Sequence, residues 1–193
     1  ISPAAKAVVS LDPATGRELW RVRYPQHSAA TRPLFAHGLV YVDSGYGKAD
    51  LLAIRPDGRG DVTGTHVAWK AGRGIGAKPS PLLVGDLIYT VSDSGGVVTC
   101  LDAKTGAEVW QQRIGGGGHS ASPLFADGAV YVFAEDGWAV AFAPGREYRE
   151  LGRSQLGEGG VMATPAIAGK SLFLRTESHL YRLETPPPAR AGR

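Results

Sequence analysis

The chain has 193 residues and a formal charge of +3, and its Lys and Arg residues are scattered singly, so we predict no nucleic-acid partner. Its 27 glycines and 13 prolines favour short strands over long helices, and no apolar stretch is long enough for a transmembrane segment. The single cysteine, Cys100, excludes an internal disulfide and a multi-cysteine metal site.

The first predicted element is a pair of strands over residues 7–24. The turn between them carries a motif that ends in a tryptophan, made of Asp12, Thr15, Gly16, Glu18 and Trp20. In such a turn the Asp carboxylate can accept bonds from backbone N–H groups just beyond it. Glycine supplies the positive φ with which the chain enters the next strand.

Four later segments share a second pattern, in which a proline, two or three apolar residues and a glycine precede an apolar run around an aromatic residue. They begin at Pro33, Pro81, Pro123 and Pro165, so the pattern recurs after 48, 42 and 42 residues. A repeat of this length with four short strands per period is typical of a β-propeller blade.

The tryptophan motif returns between these segments. Its second copy lies 90 residues after the first and consists of Asp102, Thr105, Gly106, Glu108 and Trp110. A degraded copy ends at Trp69, and another reaches Leu151, where a tryptophan would fall if the period held. Each copy follows the apolar run by a similar distance, which indicates a third and a fourth strand in every blade.

We therefore predict an all-β fold, a β-propeller of four-stranded antiparallel blades in an incomplete ring of about four. The predicted units are a half blade at 7–24, blades at 31–70, 79–113 and 121–156, an incomplete blade at 163–183 and a disordered tail at 186–193. The second strands are nearly continuous apolar runs, which indicates that both faces are covered. The alternative, a β-sandwich, predicts apolar residues on one face only.

The segments from Asp12 to Trp20 and from Asp102 to Trp110 resemble the tryptophan-docking motif of the pyrroloquinoline-quinone-like (PQQ-like) repeat family. That family includes quinoprotein alcohol dehydrogenases and the propeller lipoprotein of the bacterial outer-membrane assembly machinery, and exported bacterial repeat proteins look closest. The resemblance implies that Trp20, Trp69 and Trp110 each stack over a turn of an adjacent blade. It also implies a periplasmic or otherwise exported location.

The resemblance further implies rings of seven or eight blades, so this chain falls short of a ring. We expect upstream sequence to carry the remaining blades, and an N-terminal strand to complete the last blade, which lacks its fourth strand. A self-closed ring of four blades is the alternative, although it leaves a surplus strand.

No residue is predicted to be catalytic, and no metal site is predicted. The resemblance implies that quinoprotein dehydrogenases hold the quinone between a tryptophan and a vicinal disulfide, beside calcium bound by acidic and amide side chains. Cys100 alone cannot form that disulfide, and the chain contains no Asn. We predict that Cys100 is a buried structural thiol.

A set of polar residues precedes the innermost strands and is predicted to gather at one mouth of the central channel. The set comprises Arg32, Lys78, Ser80, His119, Ser120, Ser122 and Thr164. Propellers often bind ligands at such a mouth. The alternative is that a Ser or Thr before proline only satisfies backbone groups where the strand begins.

The sequence favours a non-catalytic scaffold that binds another protein or a cell-envelope component and carries no cofactor. The alternative is the C-terminal part of a dehydrogenase that uses pyrroloquinoline quinone and calcium, with its cofactor ligands upstream. A sensor module fused to a further domain is the third hypothesis. Adjacent cysteines and a calcium-binding set upstream would favour the enzyme.

Overall fold

The computed structural model describes residues 1–184, which form nineteen β-strands in five sheets. The tail predicted at 186–193 lies outside the described residues. Consecutive strands pair antiparallel through short turns, so the predicted all-β class with four-stranded antiparallel sheets is confirmed. No helix in the described part of the chain is long and apolar enough to cross a membrane.

The first sheet, blade 1, begins with three strands where the sequence predicts two. They are β1 (Ser2–Ala4), β2 (Ala7–Leu11) and β3 (Glu18–Arg23). The additional strand β1 pairs with β2 across a turn in which Lys6 adopts a φ of 63°. No Gly or Pro marks this turn, so the sequence pattern gives no signal for the strand that precedes it.

The next four sheets follow the Pro-led repeat. Blade 2 comprises β4 (Leu34–Ala36), β5 (Leu39–Asp43), β6 (Leu51–Ile54) and β8 (Val67–Ala71). Blade 3 comprises β9 (Leu82–Val84), β10 (Leu87–Val91), β11 (Val97–Asp102) and β12 (Glu108–Arg113). Blade 4 comprises β13 (Leu124–Ala126), β14 (Ala129–Phe133), β15 (Trp138–Ala143) and β16 (Arg149–Gln155). Blade 5 comprises β17 (Ala166–Ala168), β18 (Ser171–Arg175) and β19 (Leu180–Glu184).

The remaining strand, β7 (Gly60–Asp61), comes from the long connection inside blade 2 but joins the outer edge of blade 1. It pairs in parallel with Trp20 and Arg21. The carboxylate of Asp61 also forms an ion pair with Arg23 at 2.7 Å. The connection therefore covers an edge strand whose backbone groups would otherwise remain unpaired.

The core lies between successive blades rather than inside any one of them. One apolar cluster links each consecutive pair of blades; for example, Tyr41 of blade 2 packs with Ile88 of blade 3. Sheets covered on both faces require the continuous apolar second strands that the sequence shows. Among residues 1–184 no apolar cluster joins blade 5 to blade 1, so the ring is not closed and the four-bladed closed ring is wrong.

Because neighbouring strands of a blade run antiparallel, successive connections along the chain alternate between the two ends of the sheets. One end, here called the mouth face, carries the connections 24–33, 44–50, 72–81, 92–96, 114–123, 134–137, 156–165 and 176–179. The opposite end, the turn face, carries the connections 12–17, 37–38, 55–66, 85–86, 103–107, 127–128, 144–148 and 169–170. The mouth face contains the predicted polar set, and the turn face contains the tryptophan motif.

Candidate functional site

Three tryptophans lock successive blades together at the turn face. The indole N–H of Trp20 donates to the carbonyl oxygen of Pro56 at 2.9 Å. In the same way, Trp69 donates to Ala103 at 3.1 Å. The third indole, that of Trp110 in blade 3, donates to a carbonyl oxygen in the corresponding turn of blade 4 at 2.9 Å. Each acceptor lies just beyond the third strand of the next blade, so the bonds repeat the same geometry from blade to blade.

Each docking tryptophan lies directly opposite a small residue of its own blade. Trp20 pairs with Ser10, whereas the tryptophan of blade 3 pairs with Cys100. A small side chain at this position leaves room for the indole to lie across its own sheet and reach the next one. A β-bulge follows this position in blades 1 to 4, next to the residues that begin the turn.

The acidic residue of the motif organises the turn that receives the indole. The carboxylate of Asp102 accepts bonds from the backbone N–H groups of Lys104 and Thr105 and from the Thr105 hydroxyl. Arg146 of blade 4 also bonds this carboxylate, and its hydrogen bond is the largest cause of the lowered pKa of Asp102. In blade 1 the carboxylate of Asp12 accepts from the N–H of Ala14 at 2.9 Å.

Blade 4 has no docking tryptophan. The sequence places the corresponding position at Leu151, but the residue that pairs with Ala141 is Gly152. The expectation is wrong because Gly152 lies eleven residues after its partner Ala141, whereas Trp110 of blade 3 lies ten residues after its partner Cys100. In blade 5 the position of the small residue is occupied by Arg182, which pairs with Phe173. Blade 4 is therefore the last blade that receives a docking indole from the blade before it.

At the mouth face, a chain of hydrogen bonds joins the residues that precede the inner strands. The backbone N–H of Arg32 donates to the Ser80 hydroxyl, and that of Ser80 donates to the Ser122 hydroxyl. The N–H of Ser122 in turn donates to the Thr164 hydroxyl, and all three bonds measure 2.9 Å. The structure thus brings these four predicted residues together. Their side-chain acceptors bind the backbone of the preceding blade rather than their own strand.

The other three predicted mouth residues gather around Glu135. Lys78 bonds Oε1 of this carboxylate at 2.9 Å, and the Ser120 hydroxyl donates to the same oxygen at 2.5 Å. Because the bonds from Ser120 and Lys78 stabilise the carboxylate, the pKa of Glu135 is lowered. The cluster links the entrance of blade 3 to the second strand of blade 4.

His119 lies beneath this cluster, with only 1% of its surface exposed. Its Nδ1 is buried and has no hydrogen-bond partner. Burial lowers the pKa of the imidazole, although the charges of Asp136 and Glu135 act in the opposite direction. The unpartnered nitrogen of a neutral histidine is able to bind a polar group.

A buried acidic group in blade 2 was not singled out from the sequence. Asp43 ends the second strand with 1% exposure and accepts a bond from the N–H of Gly45 at 2.7 Å. Burial raises its pKa to about 7, and the neighbouring charges of Asp93 and Asp50 act in the same direction. The only sequence signal is an acidic residue at the end of an otherwise apolar strand.

The thiol of Cys100 is buried, and burial raises its pKa to about 11. It lies in a strand interior, where it contacts the Gly145 carbonyl at 4.0 Å. Because the chain has no second cysteine, its residues do not fit the disulfide that the quinone site of the dehydrogenases requires. Within residues 1–184, no group of three or more His, Cys, Asp or Glu side chains is arranged around a possible metal position.

A family model described as outer membrane protein assembly factor BamB matches residues 4–147. No curated protein sequence matches the chain. The matched region begins in blade 1 and extends beyond the third strand of blade 4.

Solved structures with a similar fold share little sequence identity with the chain. The structure of BamB from Moraxella catarrhalis has a TM-score of 0.69 at 19% identity, over 94% of this chain and 53% of that one. The computationally designed Ika8 protein has a TM-score of 0.70 at 12% identity, over 90% and 51%. The quinohemoprotein alcohol dehydrogenase ADHIIG from Pseudomonas putida HK5 has a TM-score of 0.64 at 13% identity, over 88% and 30%.

These similarities confirm the propeller fold and, at such low identity, the fold alone. The chain spans about half the length of the first two structures it matches. The use of the predicted mouth residues as a binding site stays a prediction.

Proposed function

The chain belongs to the family of the outer membrane protein assembly factor BamB, and on that premise we propose that it is a non-catalytic scaffold of the bacterial cell envelope. Its mouth face binds a protein that takes part in assembling outer membrane proteins. The observation that carries the proposal is the family match over residues 4–147, which includes three of the four blade junctions.

The arrangement of side chains at the mouth face supports binding rather than catalysis. The hydroxyls of Ser80, Ser122 and Thr164 are occupied as acceptors in bonds between blades. Large apolar side chains are nevertheless exposed on the same face, since Tyr46 is 64% and Met162 is 58% exposed. Exposed apolar groups within a polar surround are typical of protein interfaces.

We further propose that additional blades complete the ring in the full-length protein. An added Cβ at Gly106 would lie 2.6 Å from the ring of Trp69, which docks there from the preceding blade. The same position in blade 1 is Gly16, and nothing lies within 4 Å of its Cβ position. That open space matches the place where a tryptophan of a preceding blade would dock.

Site-specific photo-crosslinking in cells tests the scaffold function. A photoreactive amino acid is placed at Tyr46 or Met162 on the mouth face of the full-length protein. A matched control places it at Arg17 or Lys104, which are exposed on the turn face. We expect the mouth positions alone to crosslink a component of outer-membrane assembly. Absence of such crosslinks, or equal crosslinking at the control positions, contradicts the proposal.

A quinone-dependent dehydrogenase is the second candidate, favoured by the fold similarity to the quinohemoprotein alcohol dehydrogenase. It is tested by adding pyrroloquinoline quinone and calcium to the full-length protein and following dye reduction with an alcohol. We expect no alcohol-dependent reduction above that of the same mixture without protein. Reduction that depends on both additions replaces the scaffold proposal with the enzyme.

A further inference from the structure

Charged side chains divide the mouth face into two halves of opposite sign. The connections 24–33, 44–50, 72–81 and 92–96 of blades 2 and 3 carry four basic residues, Arg32, Lys48, Arg73 and Lys78, and two acidic residues, Asp50 and Asp93. The connections from 114–123 onward carry four acidic residues, Glu135, Asp136, Glu158 and Glu177, and no Lys or Arg. A basic half therefore lies over blades 2 and 3 and an acidic half over blades 4 and 5.

The basic half presents its charge to solvent. Arg32, Lys48 and Arg73 are exposed, and within residues 1–184 their side chains form no ion pair. The two acidic residues of this half are bound within the protein, and the Asp93 carboxylate accepts bonds from the backbone N–H groups of Ala77 and Lys78. Asp50 is buried, where its carboxylate binds Lys70 at 2.7 Å and the Gln26 amide at 2.9 Å.

Local hydrogen bonds hold one carboxylate of the acidic half, that of Glu158, in its charged form. The carboxylate of Glu158 accepts bonds from Tyr181, Ser178 and Thr176, which lower its pKa to about 2. Glu177 is exposed at the end of the second strand of blade 5. Arg113 and Arg175, each the last residue of its strand, are basic neighbours on this side, and the four carboxylates leave the half acidic overall.

The two halves meet at a fixed border. Lys78 from the basic half bonds Glu135 from the acidic half, and the hydroxyl chain from Ser80 to Thr164 sets the spacing of the inner strands on both sides. The charges are therefore arranged along an arc from blade 2 to blade 5, with the basic half at one end and the acidic half at the other.

Unsatisfied polar atoms are concentrated on the same face. Within residues 1–184 four side-chain atoms are buried without a hydrogen-bond partner; Gln26 Oε1, Thr31 Oγ1 and His119 Nδ1 belong to mouth connections, and the fourth, the Tyr41 hydroxyl, belongs to a strand of blade 2. Such atoms are rare in folded proteins, and a group that enters from outside can satisfy them.

Each half also offers an apolar contact. Tyr46 is exposed beside His27 in the basic half, with the two rings 5.7 Å apart. In the acidic half, Met162 and Arg175 line a recess of about 330 Å³. An occupant that spans both halves can place an apolar side chain at each end.

We propose that the mouth face binds an extended polypeptide segment with an acidic stretch and a basic stretch. The acidic stretch lies over blades 2 and 3, and the basic stretch lies over blades 4 and 5. This inference rests on the proposed function in taking the occupant to be a protein. It adds the charge pattern of the occupant and its orientation on the mouth face.

The test measures binding of three labelled synthetic peptides to the full-length protein by fluorescence anisotropy. One peptide has an acidic block, a tyrosine-containing spacer and a basic block, and the other two replace both blocks by a single charge sign. We expect the two-block peptide to bind at least about tenfold more tightly than either control peptide, and to weaken as salt rises. Equal binding of all three peptides overturns the inference.

Paired substitutions test whether both halves of the mouth face bind the two-block peptide. Arg32→Ser with Arg73→Ser, and separately Asp136→Asn with Glu177→Gln, are each expected to weaken the two-block peptide about five- to tenfold. The matched control is Arg17→Ser with Lys170→Ser, which removes two positive charges from the turn face and leaves binding unchanged. Equal weakening in the control shows a general charge effect and overturns the inference.

The last measurement determines the orientation of the bound peptide on the mouth face. A photoreactive group at the acidic end of the peptide is expected to label the connection around Tyr46, and one at the basic end the connection around Met162. Reversed or random labelling contradicts the inference. If the crosslinks to an assembly component persist while the peptides fail, the scaffold function stands and only the charge pattern is wrong; if those crosslinks are absent, the scaffold function itself fails.

Discussion

The indole N–H of Trp110 donates a hydrogen bond to the carbonyl oxygen of Gly145, 35 residues further along the chain and in the next blade. The N–H of Gly145 in turn donates to the hydroxyl of Tyr89, which lies on the same blade as Trp110. Both backbone polar groups of one blade 4 residue, its N–H and its C=O, are thus bonded to blade 3. This arrangement ties the turn face of one blade to the apolar face of its neighbour.

Replacing the docking indole tests the energy of this contact. Trp110→Phe removes the donor and leaves the Gly145 carbonyl unpaired in a partly buried site, so we expect a loss of about 2–4 kcal/mol in the free energy of unfolding. Urea denaturation measures it. Trp138→Phe is the matched control, because Trp138 is 37% exposed and its loss should cost less than about 0.5 kcal/mol. Equal losses in the two variants would contradict the docking role.

Adding a methyl group to the motif glycine tests the stacking of the indole. Gly106 and Gly16 have φ values of 73° and 71°, so alanine strains the backbone equally at both positions. At Gly106 the new Cβ also meets the ring of Trp69. We expect Gly106→Ala to cost at least about 1 kcal/mol more than Gly16→Ala in the 193-residue chain, by urea denaturation. In a completed ring the difference should shrink, because Gly16 would also meet a tryptophan.

Removing one hydroxyl from the hydrogen-bond chain at the mouth face should lower the free energy of unfolding by less than the loss of a docking indole. Ser122→Ala removes the acceptor for the Ser80 N–H, so we expect a loss of about 1 kcal/mol in unfolding free energy. Ser122→Thr keeps the hydroxyl, and Thr164 has the same role in blade 5, so this control should retain most of the stability. If alanine and threonine are indistinguishable in thermal and urea unfolding, the hydroxyl bond does not contribute.

Because the carboxyl of Asp43 is buried, we predict that the free energy of unfolding depends on pH. Its pKa is raised to about 7 in the folded protein, so its contribution to stability is complete below the unfolded pKa near 4 and is lost as pH rises through 7. Asp43→Asn keeps the acceptor for Gly45 without the charge. We expect the variant to match the parent near pH 4 and to be more stable by about 2–4 kcal/mol at pH 8.

Unfolding free energies of the Asp43→Asn variant and the parent across this pH range check the expectation. The difference between the two proteins isolates Asp43 from other acidic groups. A difference that is independent of pH would show that Asp43 remains charged in the folded protein.

The repeat made the blades predictable, since local turns and apolar runs determine which strands pair. The long-range addition of β7 to blade 1 was not predictable, because two residues in a loop carry no local signal for a parallel partner 40 residues earlier. The misplaced tryptophan position in blade 4 has a similar cause. One additional residue between the two paired positions moves the tryptophan position from Leu151 to Gly152, and only the pairing register reveals this.

Local sequence signals also made part of the candidate site predictable. Proline at the start of each inner strand marks Ser80, Ser122 and Thr164 as equivalent, but their bonds to the preceding blade depend on how the blades stack. The partner of Lys78 lies 57 residues away at Glu135, so the sequence alone does not reveal the ion pair. The buried state of His119 also depends on packing between blades.

Hydrogen exchange of the four tryptophan indole N–H groups, followed by NMR, tests the docking of the blades most directly. We predict slow exchange for Trp20, Trp69 and Trp110, whose indoles donate to the next blade, and fast exchange for the exposed Trp138. Exchange of the three docking indoles at the rate of Trp138 would contradict the account.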